Sequence, residues 1–216
     1  MKAPTCGNMQ LYTVIATQQE DKLKEMAGYH YNQPAAATAP MILTVCADFN
    51  KFTKWCEAND ADAGYDNFHS FLTAMTDAVI FAQQIVTVAE MEGLGTCYLG
   101  TVTYNASQIS KMLELPELVV PVAAIALGYV DNEGETTSRM SLDGVLYEEK
   151  YIERTLESVS SLFHYLEENA DNERFIKENG KKNIAQVFAE VRYPRQTNEI
   201  NSKEFYSLLR EKGYIK

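Results

Sequence analysis

The stretch FHSFLTAMTDAVIFAQQIVTVAEME, residues 68–92, decides the fold, because it predicts one long helix whose apolar residues cover more than a single stripe. Asp66 or Asn67 is the predicted N-cap, and the sequence GLG at residues 93–95 is typical of a helix C-terminus. A helix that is apolar on most sides must be buried on most sides. Two arrangements would achieve this: contact with a partner subunit, or a central place in a monomeric core.

Strands are predicted before and after this helix. The predicted strands are rich in β-branched and apolar residues, and they are residues 10–17 (QLYTVIAT), 41–47 (MILTVCA) and 119–130 (VVPVAAIALGYV). Shorter helices are predicted at residues 20–27, 50–58 and 103–115, and exposed helices at 147–169 and 202–212. Strands that alternate with helices in this way indicate a layered fold containing both.

Composition excludes several classes of partner and compartment. The formal net charge of −11 makes nucleic acid and anionic membrane surfaces unlikely partners, since both are negatively charged. The first ten residues have neither the basic nor the apolar region of a signal peptide. The four cysteines form no C-x-x-C pair, which is typical of reduced thiols and favours a cytoplasmic protein.

The chain has no recognisable set of catalytic side chains. His30, His69 and His164 share no metal-ligand spacing, so we predict no metal site. The glycines in GLGTCYLG, residues 93–100, follow a helix, whereas a dinucleotide-binding fingerprint follows a strand and begins a helix, so that interpretation is rejected. An enzyme without catalytic side chains often relies on a cofactor for its chemistry.

Three blocks, in order, resemble the nitroreductase family of FMN enzymes. They are residues 3–10 (APTCGNMQ), residues 89–100 (AEMEGLGTCYLG), and residues 120–129 (VPVAAIALGY) followed by 138–142 (SRMSL). The tail NIAQVFAEVRY, residues 183–193, is similar to the larger, flavin-reductase-like branch with a C-terminal extension. The resemblance implies an α+β fold with a mostly antiparallel sheet of four or five strands flanked by helices. It also implies a homodimer formed through the 68–92 helix, an FMN-binding core at residues 1–145 and a helical extension at 146–216.

The resemblance also implies a set of cofactor-binding residues. The side chains of Thr5, Asn8 and Gln10, and that of Gln33 across the dimer interface, would contact FMN. The backbone of Tyr98, Leu99, Gly100 and Thr101 would wrap the flavin, and Arg139 would bind the phosphate. Taken singly, these are ordinary turn, strand-start and loop residues. Arg195 could contact a nicotinamide phosphate, although a solvated surface charge is the simpler interpretation.

The function that the resemblance implies is transfer of two electrons from NADH or NADPH, through FMN, to a small acceptor. The acceptor would be a nitroaromatic, a quinone or a flavin, and the mechanism would be ping-pong. The hydride is carried at N5 of the flavin ring, so no side chain is expected to act as a catalytic acid or base.

One departure from the family concerns the start of the chain. The family begins with a helix that carries an R-x-S-x-R cluster for the phosphate, whereas here Met1 closely precedes the APT turn, and Thr137 replaces a frequent lysine. We therefore expect an N-terminally truncated member with weaker FMN affinity. Two alternatives stay open: a flavin-binding member that has lost turnover, and a scaffold that retains only the dimeric core.

Overall fold

The computed structural model describes residues 2–131, 134 and 136–216. The chain forms two compact units, and each is described by itself. The first consists of Met1–Asp131 and Asn201–Lys216, and the second of Asn132–Ile200. The proposed division into a core at residues 1–145 and an extension at 146–216 is a functional one and stays a prediction.

The first unit is built on a four-stranded antiparallel sheet with the order β1-β2-β4-β3. The strands are β1 (Tyr12–Thr17), β2 (Met41–Asp48), β3 (Gly95–Tyr98) and β4 (Val119–Gly128). The α+β fold with an antiparallel sheet is confirmed. β3 was not among the predicted strands, because its four residues, GTCY, carry too short a pattern to distinguish a strand from a turn.

Five helices of the first unit precede the second unit in the sequence. They are α1 (Glu20–Tyr29), α2 (Pro34–Thr38), α3 (Asn50–Glu57), α4 (Phe68–Met91) and α5 (Ala106–Met112). Short 3₁₀ helices occur at Cys6–Asn8 and Gly100–Thr103. The helix predicted at residues 103–115 is therefore shorter at both ends, because Thr103 closes the 3₁₀ helix, a turn follows at residues 104–105, and α5 ends at Met112.

Both ends of α4 have the predicted caps. The side chain of Asn67 accepts a hydrogen bond from the amide of Ser70 at 3.0 Å. At the other end Gly93 has a φ of +80°, and the amide of Leu94 donates to the carbonyl of Ala89 at 2.9 Å. This Schellman arrangement needs a left-handed residue, which explains the glycine before β3.

One face of α4 packs on the sheet and the opposite face is apolar and exposed. The buried face includes Phe71, Ala74, Ala78 and Ala82. Large apolar side chains are exposed around the rest of the helix, at Phe68, Leu72, Val79, Ile80, Val88 and Met91. The single chain therefore does not enclose the helix.

By length and composition alone α4 could cross a membrane, a test that the core helices of proteins without a membrane span also pass.

A β-bulge accommodates the proline in the central strand β4. The register between β2 and β4 shifts between Val45 and Cys46, where Cys46 faces Pro121 and Val45 faces Ala123. Proline lacks the amide N–H that would donate to a neighbouring strand, so it is tolerated in a central strand at such a bulge. β3 pairs only with residues 125–128 and does not reach Pro121.

The C-terminal segment completes the core of the first unit. α10 (Arg195–Glu211) begins in the second unit and ends in the first, where Leu208, Leu209 and the following Tyr214 are buried in the cluster around Leu118. The hydroxyl of Tyr214 donates to the carbonyl of Leu118 at 2.7 Å. The prediction of an exposed helix at residues 202–212 was wrong for this end, because its apolar side chains fill the core.

The second unit contains the helices α6 (Leu156–Leu162), α7 (His164–Glu167), α8 (Ala170–Glu178) and α9 (Ile184–Gln186), with a π-helical turn at Val187–Arg192. The predicted helix at residues 147–169 starts late. Before α6, Arg154 donates to the hydroxyl of Tyr147 at 3.0 Å and lies over its ring. Thr155 then caps α6 by accepting from the amide of Ser158, which fixes the start of the helix.

Candidate functional site

The N-terminal turn at residues 5–10 carries three of the predicted FMN-binding residues, and two of them, Asn8 and Gln10, have a strained backbone conformation. Gly7, Asn8 and Gln10 have φ values of +54°, +57° and +54°. Asparagine and glutamine pay a steric cost in this left-handed region. The side chains of Asn8 and Gln10 are exposed and that of Thr5 is half-buried. Strain of this kind occurs at ligand sites, where the surrounding structure must impose it.

Asp77 holds this turn from both ends. It lies in the middle of α4, is 3% exposed, and accepts hydrogen bonds from the amides of Cys6 at 2.9 Å and Leu11 at 3.4 Å. One helical turn later, Phe81 stacks on Tyr12 with 4.1 Å between ring centroids. A buried carboxylate with two backbone donors is a strong anchor, so α4 fixes the position of the turn.

The second predicted segment, residues 98–101, follows the edge strand β3. The amide of Leu99 donates to the carbonyl of Ala124 at 2.9 Å, and Val102 donates back to Leu99 to begin the 3₁₀ turn. The amides of Gly100 and Thr101 precede that first bond, so the turn leaves them available. A Cβ atom on Gly100 would point into open space, so the packing of the protein does not itself require glycine here.

Two buried hydrogen bonds join this segment to the one that carries Gln33. Nδ1 of His30 lies 2.8 Å from the hydroxyl of Thr101, and the side-chain amide of Asn105 donates to the carbonyl of Tyr29 at 2.6 Å. Gln33 itself is half-buried at the start of α2, three residues after His30. Because His30 contacts Thr101 and Gln33 follows His30 by three residues, the structure places Gln33 in the neighbourhood of Thr101.

The sheet and α4 link the N-terminal turn to the second segment. Ile125 of β4 pairs with Tyr98 and belongs to the apolar cluster on which Ala3 packs. In the described part of the chain, no hydrogen bond joins residues 5–10 directly to residues 98–101. Both segments are anchored to the same four-stranded sheet and to α4, which fix the position of each segment without a direct hydrogen bond between them.

Arg139 and Arg195 belong to the second unit and are exposed. Nη1 of Arg139 donates to the carbonyl of Thr137 at 3.0 Å and to that of Ser138 at 3.3 Å, and it also contacts the Thr137 hydroxyl. The guanidinium is therefore oriented by its own loop. Arg195 is the first residue of α10.

Comparison with known proteins decides the family. A sequence model described as the nitroreductase family matches residues 1–129. The chain belongs to the nitroreductase family. It is 27% identical over 207 residues to a Cr(VI) reductase of Pseudomonas sp. strain G-1, covering 94% of this chain and 85% of the relative. It is also 27% identical over 211 residues to the FMN reductase [NAD(P)H] of Bacillus subtilis strain 168, covering 94% and 84%.

A solved structure extends the likeness beyond the residues that the family model matches. The crystal structure of a protein from Bacteroides fragilis NCTC 9343 is 41% identical, with a TM-score of 0.96, covering 100% of this chain and 87% of that one. The sequence predicted that the chain belongs to the flavin-reductase-like branch of the family. The relatives that are flavin reductases, such as the FMN reductase of Bacillus subtilis, confirm this prediction. In this nitroreductase, therefore, the C-terminal region is part of a shared architecture.

Two residues of the candidate site were not found by sequence reasoning. Asp77 holds the N-terminal turn through the amides of Cys6 and Leu11, and His30 contacts the predicted residue Thr101 directly. Asp77 had a signal in the sequence, since it is the only acidic residue between Phe68 and Ala89 of an apolar helix. His30 had none. In the described residues, no group of three metal-ligating side chains is present.

His30 makes the stability of this nitroreductase depend on pH. Burial lowers the pKa of His30 from 6.5 to about 4. Between these two pH values His30 is therefore protonated in the unfolded chain and neutral in the folded chain. The free energy of unfolding should therefore fall with decreasing pH, by about 2 kcal/mol from this group between pH 7 and pH 5. Urea unfolding of His30→Gln should show a correspondingly smaller pH dependence, whereas the exposed His69→Gln should match the wild type. An unchanged slope in His30→Gln would refute the assignment.

Proposed function

We propose that this nitroreductase is an FMN-dependent oxidoreductase that uses NADH or NADPH to reduce a nitroaromatic, quinone or flavin acceptor. The observation that carries the proposal is the turn at residues 99–102, whose leading amides are available beside a glycine that faces open space. Relatives named Cr(VI) reductase and FMN reductase [NAD(P)H] support the reaction class. We further propose a ping-pong order, in which the oxidised donor leaves before the acceptor binds.

The residues present suit the polar edge of a flavin. The pyrimidine end of the ring has both donors and acceptors, and the exposed amides of Asn8 and Gln10 can pair in either sense. Thr5 adds a hydroxyl, and the amides of Gly100 and Thr101 add backbone donors. We propose that Tyr98 and Leu99 line the same segment through their backbone, and that Gln33 contributes from the partner subunit.

The protein contributes binding and orientation, and no side chain of the site is proposed as a general acid or base. Bound FMN supplies a hydride acceptor and donor at ring N5. Asp77 holds the strained turn in place, so that Asn8 and Gln10 need not be ordered when the ligand arrives. The His30–Thr101 contact does the same for the second segment, and this pre-organisation lowers the cost of binding.

We propose a homodimer formed through the exposed face of α4. Phe68, Leu72 and Val79 lie within about 40° of one another around the helix axis, and their side chains are 50%, 37% and 46% exposed. A face of this kind on a single chain marks an interaction site. All four cysteines are free, which supports a cytoplasmic location for the dimer.

The cofactor and the reaction can be tested on the purified protein. We expect a yellow protein with flavin absorbance, and heat release followed by chromatography should identify FMN. FAD or the absence of any flavin would contradict the cofactor assignment. Oxidation of NADH or NADPH in the presence of a quinone should then be measurable. A protein that binds FMN without such turnover would instead be a non-catalytic family member.

Arg139 is the proposed phosphate ligand, and its replacement provides a further prediction. Arg139→Ala should weaken FMN binding by about 1.5–3 kcal/mol, the usual contribution of a charge-assisted hydrogen bond. Fluorescence titration with FMN measures this, and titration with riboflavin serves as the control because riboflavin lacks the phosphate. Equal losses for FMN and riboflavin would contradict a role at the phosphate.

A further inference from the structure

The loop that follows α1 contains a tyrosine at a position where the backbone favours glycine. Tyr31 and Asn32 have φ values of +55° and +50°. The amide of Tyr31 donates to the carbonyl of Gly28 at 3.1 Å, and that of Asn32 donates to the carbonyl of Ala27 at 2.8 Å. These two bonds form the same Schellman arrangement that Gly93 provides at the end of α4. At the end of α1 a bulky residue occupies the left-handed position, at a steric cost.

The packing of the chain does not explain this tyrosine. The side chain of Tyr31 is 62% exposed, and within the described residues it belongs to none of the clusters that form the hydrophobic core. A glycine would give the turn the same backbone hydrogen bonds without the strain. Strain also occurs at the exposed Glu114, which follows α5, so strain alone does not define a site. The surroundings of Tyr31 distinguish it from Glu114.

Two contacts hold the loop against the segment at residues 98–101. His30, which directly precedes Tyr31, is fully buried, and its Nδ1 lies 2.8 Å from the hydroxyl of Thr101. One residue earlier in the chain, the carbonyl of Tyr29 accepts a hydrogen bond from the side chain of Asn105 at 2.6 Å. Gln33, two residues after Tyr31, is itself a proposed FMN contact. The exposed ring therefore lies on a fixed loop, between a residue that contacts Thr101 and a residue proposed to contact the cofactor.

We propose that the ring of Tyr31 stacks on the electron acceptor and gives the protein a preference for planar aromatic acceptors over acceptors without a ring. The inference rests on the proposed function, in which the flavin passes electrons to a nitroaromatic, a quinone or another flavin. All three of these acceptors are planar, and an exposed tyrosine ring can cover one face of such a molecule. The entropic cost of this contact is small, because the loop that carries the ring is already held in place.

The test compares Tyr31→Gly with Tyr31→Phe and with a control of matched backbone, Glu114→Gly. Glu114 occupies the corresponding left-handed position at the end of α5, where the amide of Leu115 donates to the carbonyl of Ser110 at 2.9 Å. Both glycine substitutions remove an exposed side chain from a strained turn, so both should leave the Tm equal to or above that of the wild type. Only Tyr31→Gly removes the ring, whereas Tyr31→Phe keeps it.

Menadione and ferricyanide are suitable acceptors, because menadione has a planar double ring and ferricyanide has no ring. In Tyr31→Gly we expect the Kd of menadione for the oxidised, flavin-containing protein to rise about 3- to 10-fold in equilibrium dialysis, as loss of one stacking contact requires. At fixed NADH the kcat/KM for menadione should fall by about the same factor, and ferricyanide reduction should stay within about twofold of the wild type. Tyr31→Phe and Glu114→Gly should match the wild type in all three measurements.

These measurements distinguish failure of this proposal from failure of the proposed function. A wild type that contains no flavin and reduces neither acceptor would overturn the proposed function and this proposal with it. If the wild type reduces both acceptors and Tyr31→Gly retains the wild-type Kd for menadione, this proposal alone is overturned. It is also overturned if Tyr31→Gly loses ferricyanide reduction to the same extent, since the ring would then serve the flavin site. A Tm well below that of Glu114→Gly would likewise overturn it, since the ring would then serve the fold.

Discussion

Replacing Asp77 with leucine is expected to lower the free energy of unfolding by about 4 kcal/mol, because it removes the acceptor of two backbone amides in a buried position. The amides of Cys6 and Leu11 would lose their partner, and Asp77 is almost fully buried. The substitution should also loosen the turn that holds Asn8 and Gln10 in the left-handed region, since these two hydrogen bonds tie both of its ends to α4. Flavin binding should weaken in the same variant.

Urea unfolding and riboflavin titration measure the two effects separately. Riboflavin is the suitable ligand because its binding depends on the ring contacts and on no phosphate. Glu90→Gln is the control: it changes the other carboxylate within α4, which is exposed and accepts from Thr96 at 2.6 Å. Exposed substitutions of this kind usually change stability by about 0.5 kcal/mol or less. An Asp77→Leu protein with wild-type stability would show that the two hydrogen bonds contribute little.

Val79→Arg is expected to dissociate the proposed dimer while leaving the chain folded. Val79 is exposed in the single chain, so an arginine there can remain hydrated in the monomer. In a symmetric dimer each substitution occurs twice, and two charges would be desolvated in an apolar contact. The dissociation constant should rise by about 1,000-fold or more, corresponding to roughly 4 kcal/mol.

Light scattering should give the mass of one chain, 24.3 kDa, for Val79→Arg at micromolar concentration and twice that mass for the wild type. Gln108→Arg on α5 adds the same charge to an exposed position outside α4 and should remain dimeric. Circular dichroism should show the wild-type helix content in both variants. A wild type that is itself monomeric would exclude α4 as a dimer interface.

The sequence predicted the larger elements of the fold well, and it failed where structure depends on distant contacts. The long helix and its caps follow from local chemistry at Asn67 and Gly93. The strand β3 could not be predicted, because its four residues become a strand only by pairing with β4. α6 starts late because Thr155 caps it, and the contact of Arg154 with Tyr147 before that cap has no periodic pattern in the sequence.

The candidate site, like the fold, has parts that the sequence could predict and parts that it could not. The segments proposed to contact the cofactor could be recognised because each is a short, contiguous motif in the family resemblance. The residues that hold them could not, since Asp77 is 71 positions from Cys6, and His30 is equally far from Thr101.

The placement of Tyr214 in the core has a consequence for the order of events during synthesis. Residues 201–216 leave the ribosome after the rest of the first unit and after the second unit, yet Leu208, Leu209 and Tyr214 fill the cluster around Leu118. The four strands can pair before this segment emerges, but until then that cluster lacks three of its buried side chains. Domains that fold as units during synthesis usually do so from the N-terminus onward. Here the first unit reaches its final packing only after translation of the second has ended, so a nascent chain stalled in α8 exposes an unfinished core to chaperones and proteases.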